Sequence, residues 1–239
     1  MSRDRIIIPH SEMVVNPMIL KIFTATIDSN RPRLDTVDEI RPFLSKQFAD
    51  YLEIHSENAT RFIHRYPTVQ CKIIQNRIVI IGINEGAEFL YGFSESHPEI
   101  RLGEIICTFI DRDHVIRNEI VGTTDKIFTY EFLTSWIALN QQNAKKFYLL
   151  KGKLERDTFI HRILTQNLTT LVKSLGCETA APIICTSKIR FKKDRINGTN
   201  VIVFIGRFQT NLMIPDYLGI GQSVSLGFGT IKQLPPADF

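Results

Sequence analysis

The 239-residue sequence predicts an α+β protein built from two tandem ferredoxin-like (RRM-like) domains, each in the order strand–helix–strand–strand–helix–strand, the second with a reduced second helix. Three observations carry that prediction. Each half contains two β-branched runs flanking a turn, at Asn76 in the first and at Asn197-Gly198 in the second. A stripe of helical period stands ahead of each pair. Further apolar runs open and close each half.

In chain order, Ile19–Ile27 reads as the first strand. From Pro42 to Ile54 the residues Leu44, Phe48, Tyr51 and Leu52 share one helical face, and Pro42 suits a first turn, where its missing N–H does no harm. Thr68–Gln75 and Arg77–Ile83 form a predicted hairpin, Asn84–Phe93 a short second helix and Ile100–Ile110 a last strand or two. The second half opens with a strand over Ile127–Leu139 that runs into a helix start at Asn140. Glu155–Leu175 is a long amphipathic helix, with Ile160, Ile163, Leu164, Leu168, Leu171, Val172 and Leu175 on one stripe, Lys173 in the last turn and Gly176 as the stop. Ile183–Lys192 and Val201–Gln209 pair around Asn197-Gly198, the segment around Pro215–Gly221 takes the place of a second helix, and Ser225–Leu234 is the final strand. The expected domains are 1–120 and 121–239, joined near residues 118–125.

Composition narrows the function classes. Hydrophobic residues make up 44%, enough for a sizeable core, yet there is no run of 18 apolar residues, so no membrane span is expected. Ile6-Ile7-Ile8 is stopped by Pro9, which is too short for a signal-peptide core. The four cysteines, Cys71, Cys107, Cys177 and Cys185, contain no CxxC pair, which argues against zinc and fits a reducing cytoplasm. No HExxH or clustered carboxylate set calls for a metal, no GxSxG elbow supports a serine hydrolase, and no cofactor is expected; Asp111-Arg112-Asp113-His114 reads as a turn. The formal charge of +4 is uneven: residues 1–120 carry 14 Lys/Arg against 17 Asp/Glu, whereas residues 121–239 carry 15 against 8. A basic half beside a mildly acidic one suits a polyanion held mainly by the C-terminal half.

Two motifs in that half point to phosphates. Gly219, Gly221, Gly227 and Gly229 lie with Ser223 and Ser225 in one short block, and such a run can turn several N–H groups toward an anion. The block lacks the spacing of a dinucleotide fingerprint and the Gly-Lys-Ser/Thr of a nucleoside-triphosphate loop. It reads either as a cradle for a phosphate backbone or as a glycine-rich hairpin that lets two sheets approach. In the second hairpin, Lys188, Arg190 and Lys192 alternate onto one face, with Lys193 and Arg195 at the tip. That comb can track a nucleic-acid backbone or simply keep an edge soluble. For proton transfer near neutral pH, histidine is the remaining candidate: His55 ends the first helix, one turn beyond Tyr51, and His64 precedes the next strand.

Five segments in order, Phe48–His55, Arg65–Lys72, Val79–Ala87, Trp136–Asn143 and Leu212–Ile231, resemble the CRISPR-associated endoribonucleases of the repeat-associated RNA-binding (RAMP) superfamily. The resemblance implies metal-independent cleavage of precursor CRISPR RNA within its repeats. A ribose 2′-OH attacks the adjacent phosphate and leaves a 2′,3′-cyclic phosphate and a 5′-OH. It implies His55 as general base or proton donor, Tyr51 and Tyr66 as groups that position the ribose or donate a proton, and Lys46 and Lys72 as cations for the phosphorane. The RNA backbone is expected on the glycine block and on Lys188, Arg190, Lys192 and Lys193. The alternative is a non-catalytic repeat-RNA-binding subunit of a CRISPR ribonucleoprotein. CRISPR effector subunits and a second copy of the chain are the other partners the resemblance suggests. Thr134-Ser135 replaces a proline expected ahead of Trp136, and Cys71 stands where an aromatic is usual.

Overall fold

The computed structural model describes residues 14–29, 66–102, 105–112, 115–179, 181–196 and 198–236. The predicted first helix, with Lys46, Tyr51 and His55, lies outside the described residues, as do His64 and His114.

The described elements are β1 (Val14–Ser29), β2 (Val69–Ile74), β3 (Arg77–Ile83), α1 (Glu85–Ser96), β4 (Glu99–Leu102), β5 (Ile105–Arg112), β6 (Arg117–Phe132), α2 (Gln141–Leu149), α3 (Lys153–Ser174), β7 (Cys185–Ile196), β8 (Thr199–Met213) and β9 (Ile231–Gln233). All strands belong to one antiparallel sheet. Within it the first unit runs β5-β1-β3-β2 and the second β9-β6-β8-β7. With the β4–β5 hairpin standing in the first unit for a single fourth strand, each is the fourth-first-third-second order that a strand–helix–strand–strand–helix–strand chain adopts, so the α+β ferredoxin-like reading holds for both halves.

The junction expected near residues 118–125 lies within a strand: those residues are the N-terminal part of β6, where Arg117–Thr124 pairs with Val14–Ile22 of β1. The polar look of Arg117-Asn118-Glu119 and Thr123-Thr124-Asp125 imitates a linker. Yet Val121 and Thr123 are buried in the shared sheet, so those residues are the seam between the units. The last strand is also shorter than predicted: Val224–Leu226 is a 3-10 turn and β9 holds three residues, because Gly227 and Gly229 both take positive φ, which interrupts an extended run. The basic hairpin is longer than predicted, so Lys193 and Arg195, expected at the tip, lie within β7 opposite Ile202 and Asn200, and the tip falls beyond them at Gly198.

Two cores follow from strand alternation. Phe23, Ala25, Ile27, Cys71, Ile78 and Ile80 pack beneath α1 with Ala87 and Leu90. The alternate residues Leu20, Ile22, Ile81 and Ile83 turn into the larger core of the second unit, beside Trp136, Phe204, Phe208 and the apolar stripe of α3. Trp136 is fully buried, and its ring stacks on Phe132 at 5.2 Å. Asn140 caps α2 by accepting from the Asn143 N–H at 2.8 Å. Among the described residues, no helix is long and apolar enough to cross a membrane.

Candidate nucleic-acid interface

The glycine block closes the second unit between β8 and β9. Most of its backbone is tied to the protein. The Gly229 N–H donates to the Ser135 carbonyl at 2.9 Å, the Gln222 N–H to the Ile137 carbonyl at 3.0 Å, and Thr134 Oγ1 bridges the Gly227 carbonyl and the Thr230 N–H at 2.6 and 2.9 Å. Gly227 (φ 83°) sits directly on β2, where a Cβ would stand 2.9 Å from the Cys71 carbonyl oxygen. Gly229 (φ 65°) faces the Ile220 carbonyl so closely that a Cβ would overlap it. Gly227 is therefore needed for close packing between the units, the second of the two readings the sequence left open, whereas Gly229 is needed for close packing within the loop itself.

The same loop retains free donors. Among the described residues, the N–H groups of the exposed Gly221, Ser223 and Ser225 have no hydrogen-bond partner. With Gly221 at φ 93° and Ser223 at φ 55°, both left-handed, the chain folds into a concave turn whose donors are available to an anion. These residues border a cleft of about 1010 Å³, walled by Tyr66, Asn140 and Asn143 and by the His161–Ser174 flank of α3. His161, Arg162, Gln166 and the Asn residues supply further polar groups there.

Tyr66 is part of that wall, with its hydroxyl already engaged. It donates to the Gly219 carbonyl and accepts from the Gly219 N–H, each at 2.8 Å. Burial raises its pKa well above the ordinary tyrosine value. Lys72 is not on the cleft. Its side chain is fully buried on the inner face of β2, with Nζ 2.6 Å from Gln70 Oε1, and burial brings its pKa down to about 7. An amine held in this way does not touch a phosphate in the cleft, which corrects the expectation of a direct contact. Gln70, also fully buried, was missed in the sequence. Its one signal is the i, i+2 spacing from Lys72 on a strand, which gives both the same face.

On the basic hairpin, Lys188, Arg190, Lys192 and Lys193 are all exposed. The intervening Phe191 turns to the helices and meets Phe147 edge-on at 5.2 Å, so Lys188, Arg190 and Lys192 project from the opposite, helix-free face. Lys192 pairs with Asp194 at 3.4 Å. Among the described residues, no three His, Cys, Asp or Glu side chains are grouped to hold a metal.

Comparison with known proteins gives a consistent picture. The model of the Cas6b N-terminal domain matches residues 18–119, and that of the Cas6b C-terminal domain matches residues 122–234. A solved structure described as Cas6b is 29% identical, with a TM-score of 0.75, over 91% of this chain and 100% of that one. A second, described as the CRISPR RNA processing endoribonuclease Cas6b, is 31% identical with a TM-score of 0.67 over the same shares. An uncharacterised protein of Methanocaldococcus jannaschii is 31% identical over 121 residues, which is 48% of this chain and 79% of that protein.

Proposed function

This chain belongs to the Cas6b family, and on that premise we propose that it is an endoribonuclease that cuts precursor CRISPR RNA within its repeats. The observation that supports a phosphate-backbone substrate is the glycine loop, whose Gly221, Ser223 and Ser225 N–H groups, at the edge of the cleft, have no partner among the described residues. The proposed reaction needs no metal. The ribose 2′-OH loses its proton to His55 and attacks the adjacent phosphorus in line. The 5′-oxygen departs with a proton, leaving a 2′,3′-cyclic phosphate and a 5′-OH. His55 is the proposed base, or the proton donor if its imidazolium is the active form; Tyr51 positions the ribose and Lys46 neutralises the phosphorane. Tyr66 and Lys72 support the loop rather than touch the reacting phosphate. The N-terminal domain, 1–120, carries the chemistry, and the C-terminal domain, 121–239, grips the RNA through the loop and through Lys188, Arg190, Lys192 and Lys193.

The test is His55→Ala assayed for cleavage and for repeat-RNA affinity in parallel. Loss of cleavage by at least a hundredfold at unchanged affinity is the expected result. Near-normal cleavage removes His55 from the mechanism, and a wild-type chain that binds but never cuts favours the RNA-holding subunit. Association with a second copy of the chain or with effector subunits in the cytoplasm is part of the same proposal, and light scattering at micromolar concentration checks the dimer.

A further inference from the structure

The cleft-side loop belongs to the second unit, yet one of its anchors comes from the first. Gln70 sits at the centre of that anchor. Its Oε1 accepts from Lys72 Nζ at 2.6 Å, and its Nε2 donates to the carbonyl of Pro67, the residue after Tyr66, at 3.2 Å. The amide has one way to satisfy both. Lys72 offers a donor, so the oxygen must face it, and the NH2 is left to serve Pro67 and so holds the chain beside Tyr66. The Tyr66 oxygen, with the Gly219 N–H directed at it, turns its own proton to the Gly219 carbonyl. Gly219 starts the loop, two residues before the first free N–H at Gly221.

We infer that Gln70 is a positioning residue: with Lys72 and Tyr66 it forms a buried brace that fixes Gly219, and so aims the Gly221–Ser225 N–H groups at the RNA backbone. The inference rests on the reading that this loop holds RNA. Gln70 and Lys72 are both fully buried, so neither touches RNA itself. What they supply is a loop already held in its binding geometry, which spares the ordering cost that a loose loop incurs on binding. The brace also explains why a lysine occupies a buried strand position: a methionine there would fill the space but leave the amide of Gln70 free to rotate and withdraw its donor from the Pro67 carbonyl, next to Tyr66.

The experiment compares wild type, Gln70→Leu, Tyr66→Phe and the double variant. Repeat-RNA affinity is measured in EDTA, and backbone hydrogen exchange is followed through residues 217–231 without RNA. Each single variant is expected to weaken RNA binding by about tenfold. Each should also speed exchange at Gly219 and Gly229 while β1, β3 and β8 keep their protection. The double variant should be no weaker than either single one, because all three break the same chain of contacts. Gln70→Glu, which keeps an acceptor for Lys72 and loses the donor to Pro67, should behave like Gln70→Leu, and it carries the comparison if the leucine variant fails to fold. Unchanged exchange in the loop, or additive losses in the double variant, overturns the inference. A wild-type chain that fails to bind repeat RNA overturns the underlying reading instead, while the exchange data still judge the brace.

Discussion

Replacing Lys72 by methionine removes one buried amine and should change how stability depends on pH. In the folded chain that amine has its pKa lowered from 10.5 to about 7 because burial disfavours its charged form. Between pH 7 and about 10 the unfolded chain therefore holds a proton that the folded chain has released. Stability rises with pH through that window, by about 1.4 kcal/mol per pH unit once above the folded value. From pH 6 to 8.5 the gain from this one group is about 2 kcal/mol. The thiols act in the opposite direction at higher pH: burial pushes Cys71 up to about 12, so the folded chain keeps a proton that the unfolded one loses. Comparing wild type with Lys72→Met at each pH cancels that contribution. The assay is urea unfolding at pH 6, 7, 8 and 8.5, followed by the fluorescence of Trp136, the chain's single tryptophan and fully buried. The stability difference, methionine minus wild type, should be largest at pH 6 and fall by about 2 kcal/mol by pH 8.5. A difference that stays constant across the range would refute the placement of an ionisable amine inside the fold.

Three further outcomes follow from the geometry. Gly229→Ala puts a Cβ onto the Ile220 carbonyl at positive φ, and should cost about 3 kcal/mol, seen as a fall in melting temperature of about 6–12 °C. Trp136→Ala empties the centre of the larger core and loses the indole N–H bond to Asn167 Oδ1 at 3.3 Å; a loss of about 3–5 kcal/mol in urea unfolding is expected. Changing Lys188, Arg190 and Lys192 together to glutamine should leave stability within about 0.5 kcal/mol, since all three are exposed. The same triple change should lower the slope of log affinity against log salt for single-stranded repeat RNA by about 2, and an unchanged slope would remove the hairpin from the RNA path.

Much of the fold was legible because it is written in periodicity. The stripe from Ile160 to Leu175 fixed α3 to within two residues, and Asn197-Gly198 fixed the register of the second hairpin. The seam at β6 was not legible, since a strand whose edge pairs with another unit carries polar residues much as a linker does. The site divides in the same way. The glycines were conspicuous, but their spacing does not say that Gly227 rests on β2 while the Gly221 and Ser223 N–H groups find no partner among the described residues. Lys72 stood out as a cation, and sequence alone gave no sign that it points inward, because a single buried lysine on a strand has the same spacing as an exposed one. Gln70 was invisible for a related reason: its role depends on a short chain of contacts, through Pro67 beside Tyr66 to Gly219 far downstream, that spacing does not reveal.

The proposed reaction is cleavage of CRISPR repeat RNA through the ribose 2′-OH without a metal. The most direct test is incubation of the purified protein with its own genomic repeat RNA in EDTA, beside the same sequence with 2′-deoxy at every position. Cleavage of the ribose strand alone, ending in a 2′,3′-cyclic phosphate, is the predicted result. Cleavage of both strands, or of the ribose strand only when a divalent cation is restored, would contradict it.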